Sequence, residues 1–195
     1  MKYDVVIIGG GANGCSLAYQ LSKRGLKVAL FERNYICSGA TGRCGAGIRQ
    51  QWSTEENIIL ARESVKIFEN LSKELGEDIG FRQGGYLIAV HDEKELKEAE
   101  ERVALQKSLG VDVKIIDKDG IRNIAPILDP DGMHAIAATF CPTDGHADPF
   151  KTTFAYAKSA RKYGADIFTH SEAKKIVRER NQVRGVVVNG KSIKA

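Results

Sequence analysis

The chain has 195 residues, 43% of them hydrophobic, and a net charge of +4. That size and composition fit one domain, or one domain and a fragment of another, folded around a core, and exclude disorder. Basic and acidic residues are interspersed, as from Lys94 to Arg102, which describes a solvated surface and not a nucleic-acid footprint. No apolar run has the length of a membrane span, and the N-terminus enters a strand too soon for a signal peptide. Cys15, Cys37, Cys44 and Cys141 lack C-x-x-C spacing and His companions. The expectation is a cytoplasmic protein with free thiols and no metal.

Val5 to Ile8 is a continuous apolar run, as in a parallel strand buried on both faces. Gly9, Gly11 and Gly14 follow it in G-x-G-x-x-G spacing. Gly9 permits a sharp turn, Gly11 lets backbone approach a pyrophosphate, and Gly14 lets a helix lie close to the sheet. That helix, Ala12 to Arg24, is expected to turn Leu17, Ala18 and Leu21 inward. Its first residues, Ala12 and Asn13, belong to an N-terminus whose N–H groups and dipole favour a phosphate anion. Gly25 ends the helix, and Lys27 to Phe31 forms the second strand. Glu32 stands at its tip, eighteen residues beyond Gly14. A carboxylate there accepts both ribose hydroxyls and repels a 2′-phosphate, which favours FAD or NAD over NADP.

Arg33 to Trp52 is rich in Gly, Ser, Thr and Arg and reads as an irregular working loop. Ser53 with Glu56 offers a capping box for a helix to about Leu75, with the apolar stripe Ile58, Ala61, Val65, Phe68, Leu71 and Leu75. Gly76 ends it. Tyr86 to Val90 is β-rich, Asp92 and Glu95 cap a helix to about Leu109, and Val113 to Ile116 is a strand. A short helix spans Lys118 to Ile124, and Ala135 to Phe140 is a strand. Asp148 as N-cap and Pro149 at the first helical position open a helix to about Tyr163. Ala165 to Thr169 then forms a third strand beside Lys27 to Phe31. Lys175 to Arg180, Val183 to Val188 and Ser192 onward form a meander, joined at Asn181-Gln182 and at Asn189-Gly190, the latter a type I′ hairpin signal. Its last strand, four residues long, is expected to pair poorly, and its open edge to invite a missing segment or another chain.

Together these residues resemble the FAD-dependent amine and amino-acid oxidoreductases of the D-amino-acid oxidase superfamily, in particular the β subunits of sarcosine oxidase and dye-linked L-proline dehydrogenase. The resemblance spans nearly the whole chain. It rests on the fingerprint with Glu32-Arg33, the Ser38 to Arg49 loop, Gly85-Tyr86-Leu87, Pro142 to Pro149, and Gly164-Ala165. The fold it implies is α/β: an FAD-binding Rossmann-like βαβ sheet with a β-meander, plus part of an α+β substrate domain. Residues 1–83 are the first part of the FAD-binding domain, 84–141 a partial substrate domain, and 142–195 the FAD-binding domain continued. The C-terminal half of such proteins is absent.

The resemblance implies FAD contacts at Gly9, Gly11, Ala12, Asn13, Gly14, Glu32 and Arg33, and in the loop at Ser38, Thr41, Gly42, Arg43, Gly45, Ala46 and Gly47. It aligns Ala173, in the first meander strand, with a backbone contact to adenine. Arg43 is read as a phosphate or flavin contact, against a surface arginine. Arg49 is read as the receptor of a substrate carboxylate or a cation near the flavin, against a structural salt bridge. His146 is a candidate substrate or flavin contact, against a cap-and-turn role. Cys44 is either reactive or an inert small residue, and Tyr86 and Trp52 either line the substrate side or are simply packed.

The implied reaction oxidises the C–N bond of a sarcosine-, proline- or glycine-type amine by hydride transfer to flavin N5. No protein nucleophile is needed, and the residues assign no base. The partners implied are a small amine or amino acid and a missing C-terminal half or partner subunit, with no nucleic acid and no membrane span. Two alternatives stay open: a non-catalytic FAD- or nucleotide-binding subunit, and an NAD-binding dehydrogenase domain.

Overall fold

The computed structural model describes residues 2–195. In chain order the elements are β1 (Val5–Ile8), α1 (Ala12–Lys23), β2 (Val28–Phe31), β3 (Gly47–Ile48), α2 (Glu55–Leu75), β4 (Tyr86–Val90), α3 (Glu93–Ser108), β5 (Lys114–Ile116) and α4 (Lys118–Ile124). They continue with β6 (Ala137–Cys141), β7 (Gly145–His146), α5 (Pro149–Lys162), β8 (Asp166–Phe168), β9 (Ala173–Glu179), β10 (Gln182–Val188) and β11 (Lys191–Lys194). The chain divides into two compact units: Met1–Ala46 with Ser72–Gly80 and Asp148–Ala195, and Gly47–Leu71 with Phe81–Ala147.

The first unit is built on a parallel sheet of order β1-β2-β8. Val5 pairs with Val28 and Ala29 with Asp166, so the predicted third strand does lie beside the second. The central strand β2 is buried at every residue. Sequestering Val28 and Leu30 contributes about 1.5–3 kcal/mol each. In β1 the expectation of burial on both faces fails: Val5 and Val6 are half-buried and Ile8 is 52% exposed, because β1 is an edge strand of this sheet. The buried face of α1 is Cys15, Ala18, Tyr19 and Ser22, one stripe at helical spacing. Leu17, expected inside, falls off that stripe and is exposed. The small members of the stripe let α1 approach α5, where the Ser22 hydroxyl, which donates to the Ala18 carbonyl at 2.7 Å, lies 3.4 Å from the Ala160 carbonyl, and the Tyr19 and Tyr156 rings lie 5.8 Å apart.

An antiparallel meander of order β11-β10-β9 completes this unit, and its Val186 and Val188 share a core with Tyr3, Ala29 and Phe31. Asn189 and Gly190 both take positive φ, 48° and 77°, as a type I′ turn requires. The other tight turn lies at Arg180-Asn181, one residue earlier than expected, with Arg180 at φ 53°. The last strand corrects the expectation of poor pairing. All four residues of β11 face partners in β10, and the Lys194 carbonyl also receives the Tyr3 N–H at 3.1 Å.

The second unit centres on an antiparallel sheet of order β4-β6-β5, with Ile88 opposite Thr139 and Ile115 opposite Thr139 on the other side. Asp92 caps α3 by accepting the Glu95 N–H, while Glu95 accepts the His91 N–H, a reciprocal cap close to the one read from the sequence. The helix α2 opens at Glu55 and donates its Ile58 N–H to the Thr54 carbonyl, one residue later than a Ser53 cap implies. The supposedly irregular loop contains a short 3₁₀ turn, Ala40–Arg43, and the two-residue strand β3, which pairs with β7.

Candidate functional site

The C-terminal ends of β1 and β2 meet a turn made of three glycines. Gly9 leaves β1 with φ 106°, which only glycine adopts without strain, and donates its N–H to the Phe31 carbonyl at 2.8 Å. Gly11 caps α1 with no side chain, and a Cβ there would stand 3.0 Å from the Thr41 hydroxyl oxygen. Ala12 donates its N–H to the Thr41 hydroxyl at 3.1 Å, which ties the loop after β2 to the helix start. Gly14 packs so tightly that a Cβ there would stand 2.0 Å from the Gly9 carbonyl oxygen. These contacts fit a cradle for a phosphate anion.

Glu32 is 8% exposed, and both its oxygens are engaged. Oε2 accepts the Gly10 N–H at 2.7 Å; Oε1 accepts the Asn34 N–H at 2.8 Å and the Ser38 hydroxyl at 3.4 Å. Burial pushes this carboxyl upward, but the N–H groups of Asn34 and Gly10, the Ser38 hydroxyl and the Arg33 charge outweigh it and hold it below the ordinary glutamate value. It therefore stays an anion beside the glycine turn. A carboxylate has about four lone-pair positions, so the three donors leave room for another hydroxyl.

The rest of the loop splits between the units. In the first, Gly42 sits where a Cβ would stand 2.2 Å from the Cys37 carbonyl oxygen, and Cys37 is buried with φ 72°. Arg33, Arg43, Cys44 and Gly45 are exposed. The Cys44 thiol lies 3.1 Å from the Thr41 carbonyl. Ala46 takes φ 59°. Ala173 is half-buried at the start of β9, opposite Val188.

In the second unit Gly47 pairs with His146, and a Cβ on Gly47 would approach the Tyr86 hydroxyl to 3.1 Å. His146 is exposed; its backbone exchanges hydrogen bonds with Arg82 at 2.9 and 3.0 Å. The Arg49 guanidinium lies 4.7 Å from the centre of the Trp52 ring, and the Trp52 indole N–H donates to the Arg49 carbonyl at 3.1 Å. Among the described residues no carboxylate pairs with Arg49, so the structural salt bridge is not formed.

Sequence reasoning did not single out Gly10, whose N–H reaches Glu32 and where a Cβ would stand 2.6 Å from Ile36. It also passed over Gln50, Gln51 and Asp144, which form a buried cluster in the second unit. The clue for Gly10 was the unbroken Gly9-Gly10-Gly11 run; Asp144 was visible only as part of a characteristic segment.

The description of the family model that matches residues 4–195 is DAO, FAD dependent oxidoreductase. The chain is 31% identical over 190 residues to the sarcosine oxidase subunit beta of an Arthrobacter species, covering 95% of this chain and 47% of that one. Among solved structures it is similar to L-proline dehydrogenase from P. horikoshii, with 40% identity, a TM-score of 0.93, and coverage of 99% of this chain and 50% of that one. Glycine oxidase from Bacillus cereus matches with 34% identity and a TM-score of 0.86, over 99% of this chain and 53% of its own. The chain thus spans about half the length of these relatives.

Proposed function

This chain belongs to the FAD-dependent oxidoreductase family, and from that premise we propose that it forms the FAD-binding portion of an oxidoreductase acting on the C–N bond of a small amine or amino acid. The observation that carries the reading is the buried Glu32 carboxylate, held as an anion by Gly10 and Asn34 beside a turn stripped of side chains. This fits the ADP end of FAD: an acceptor for a ribose hydroxyl next to N–H donors for a pyrophosphate.

In this reading Gly9, Gly11, Ala12, Asn13 and Gly14 meet the pyrophosphate, and Glu32, with Arg33 beside it, meets the ribose. Ser38, Thr41, Gly42 and Arg43 continue along the phosphates, Gly45, Ala46 and Gly47 lead toward the ring, and the Ala173 main chain meets adenine. Residues 1–83 and 142–195 belong to the FAD-binding domain, which also supplies Arg49 and His146 to the substrate, and 84–141 to the substrate domain. FAD held there would supply the acceptor for the hydride that leaves the carbon carrying the amine nitrogen. Arg49 receives the carboxylate of a sarcosine-, proline- or glycine-type substrate, which its planar guanidinium binds through two oxygens, and His146 is a second substrate contact.

Relatives about twice as long support a further portion of the pocket, from a C-terminal half or a partner subunit. Four free thiols support a reducing compartment, the cytoplasm. Among the described residues no helix is long and apolar enough to cross a membrane. The visible spectrum of the purified protein tests the reading. A yellow protein releasing FAD on denaturation is expected; a colourless one that binds NADH and ignores added FAD overturns it.

A further inference from the structure

Asp144 is completely buried, yet no cation pairs with it among the described residues. A buried charge is tolerated only when hydrogen bonds replace its water. The side-chain oxygens take theirs from two consecutive residues. Oδ1 accepts the Gln50 main-chain N–H at 2.8 Å and the Gln50 side-chain amide at 3.1 Å; Oδ2 accepts the Gln51 side-chain amide at 3.1 Å. The two glutamines are anchored in turn. Gln50 Nε2 also donates to the Thr143 hydroxyl at 2.8 Å, and Gln51 bridges the Tyr86 carbonyl at 2.9 Å and the Thr139 hydroxyl at 2.6 Å.

This clamp grips the chain immediately beside Arg49. On one side Ile48 pairs with Gly145, the neighbour of Asp144. On the other, the Trp52 N–H donates to the Gln50 carbonyl at 2.8 Å, and the Trp52 ring lies against the Arg49 guanidinium. Gln50 and Gln51, the two residues between Arg49 and Trp52, are thus fixed to one carboxylate, and Ile48 before them is paired with the next residue, Gly145. A tie of purely mechanical kind needs no anion, but this one needs two acceptor oxygens facing N–H donors. Asparagine has one oxygen, and its NH₂ would oppose a donor.

We propose that Asp144 is a positioning residue: through Gln50 and Gln51 it sets the Arg49–Trp52 stack in the orientation that presents the guanidinium to a carboxylate ligand. The proposal rests on the reading of Arg49 as the carboxylate receptor, and its test separates the two. Trp52 is the only tryptophan in the chain, so its emission reports the stack directly.

The FAD-loaded protein is titrated with sodium acetate against sodium chloride at equal ionic strength, following Trp52 emission and the flavin band. In Asp144→Asn the Trp52 emission is expected to shift, and the acetate half-saturation concentration to rise by about tenfold, as when buried donors lose their acceptor. Wild-type emission together with wild-type acetate binding in this variant overturns the proposal. Arg49→Lys with unchanged acetate binding overturns the Arg49 reading instead, and a shifted emission in Asp144→Asn then still supports control of the stack by Asp144. Should Asp144→Asn fail to fold, Gln50→Leu is read by the same criteria. It removes the side-chain arm to Asp144 and Thr143 and keeps the main-chain bond.

Discussion

Glu32 and Gly10 are joined by a 2.7 Å hydrogen bond in which the glycine N–H donates to Oε2 of the carboxylate. The bond links the tip of the second strand to the middle of the glycine turn, so the proposed ribose acceptor and the proposed phosphate cradle are tied to each other. A side chain at Gly10 would crowd it, since a Cβ there would stand 2.6 Å from the Ile36 Cδ1 and 3.0 Å from the Glu32 Cβ. Rigidity at this point favours a nucleotide because less ordering remains to be done on binding.

Glu32→Gln tests that tie. Glutamine keeps the shape but replaces one acceptor oxygen with a donor that faces either the Gly10 or the Asn34 N–H. FAD affinity should fall by roughly 1–3 kcal/mol, the cost of a lost charged partner. Equilibrium titration of the apoprotein with FAD measures it, and unchanged affinity removes Glu32 from the ribose site.

The same carboxylate gives a signed pH dependence. Its folded pKa lies below the ordinary value, so its contribution to stability is fully present above the ordinary glutamate value and is lost as pH falls through the lower folded value. Denaturation midpoints of wild type and Glu32→Gln, compared across the acid range, should converge as pH falls. A difference that stays constant from neutral to strongly acid solution contradicts the assignment.

The glycine fingerprint, the apolar runs of the strands and the caps of α3 and α5 were legible because each is a local signal: φ freedom, apolar runs and side chains that reach their own helix. Lys118–Ile124 and Tyr86–Val90 match their sequence-derived limits for that reason. Leu17 misled because one apolar residue does not define a helix face; the buried stripe is set by small Cys15, Ala18 and Ser22, chosen by contact with α5. Ile8 misled because an apolar run records only what a strand tolerates, and its position in the sheet depends on distant partners. The Asp144 cluster joins residues more than ninety positions apart, and no periodicity announces such a contact.

Gly14 measures how closely the fingerprint is packed. Its missing Cβ would stand 2.0 Å from the Gly9 carbonyl oxygen, which is backbone and cannot step aside. Gly14→Ala should destabilise the protein by about 1–3 kcal/mol, as overpacking does, and lower the melting temperature by roughly 2–4 °C per kcal/mol for a chain of this length. Gly84→Ala is the control, since a Cβ there meets nothing within 4 Å. Equal melting temperatures for the two variants refute the packing role of Gly14.

The start of α5 can be tested independently of any ligand. Asp148 accepts the N–H groups of both Phe150 and Lys151 at 2.9 Å, and Pro149 occupies the first helical position with no N–H to satisfy. Asp148→Ala removes two hydrogen bonds and a favourable charge at the helix N-terminus, and should cost about 0.5–2 kcal/mol. Asp148→Ser, which keeps a capping oxygen, should recover most of the loss in a urea melt. The first turn of α5 meets the loop at Cys37 and Gly42, but through Pro149 and Phe150 and not through the Asp148 carboxylate, so FAD affinity of the folded variant should stay within about twofold of wild type, a change below 0.5 kcal/mol. A larger loss shows that the cap of α5 also governs the cofactor cradle.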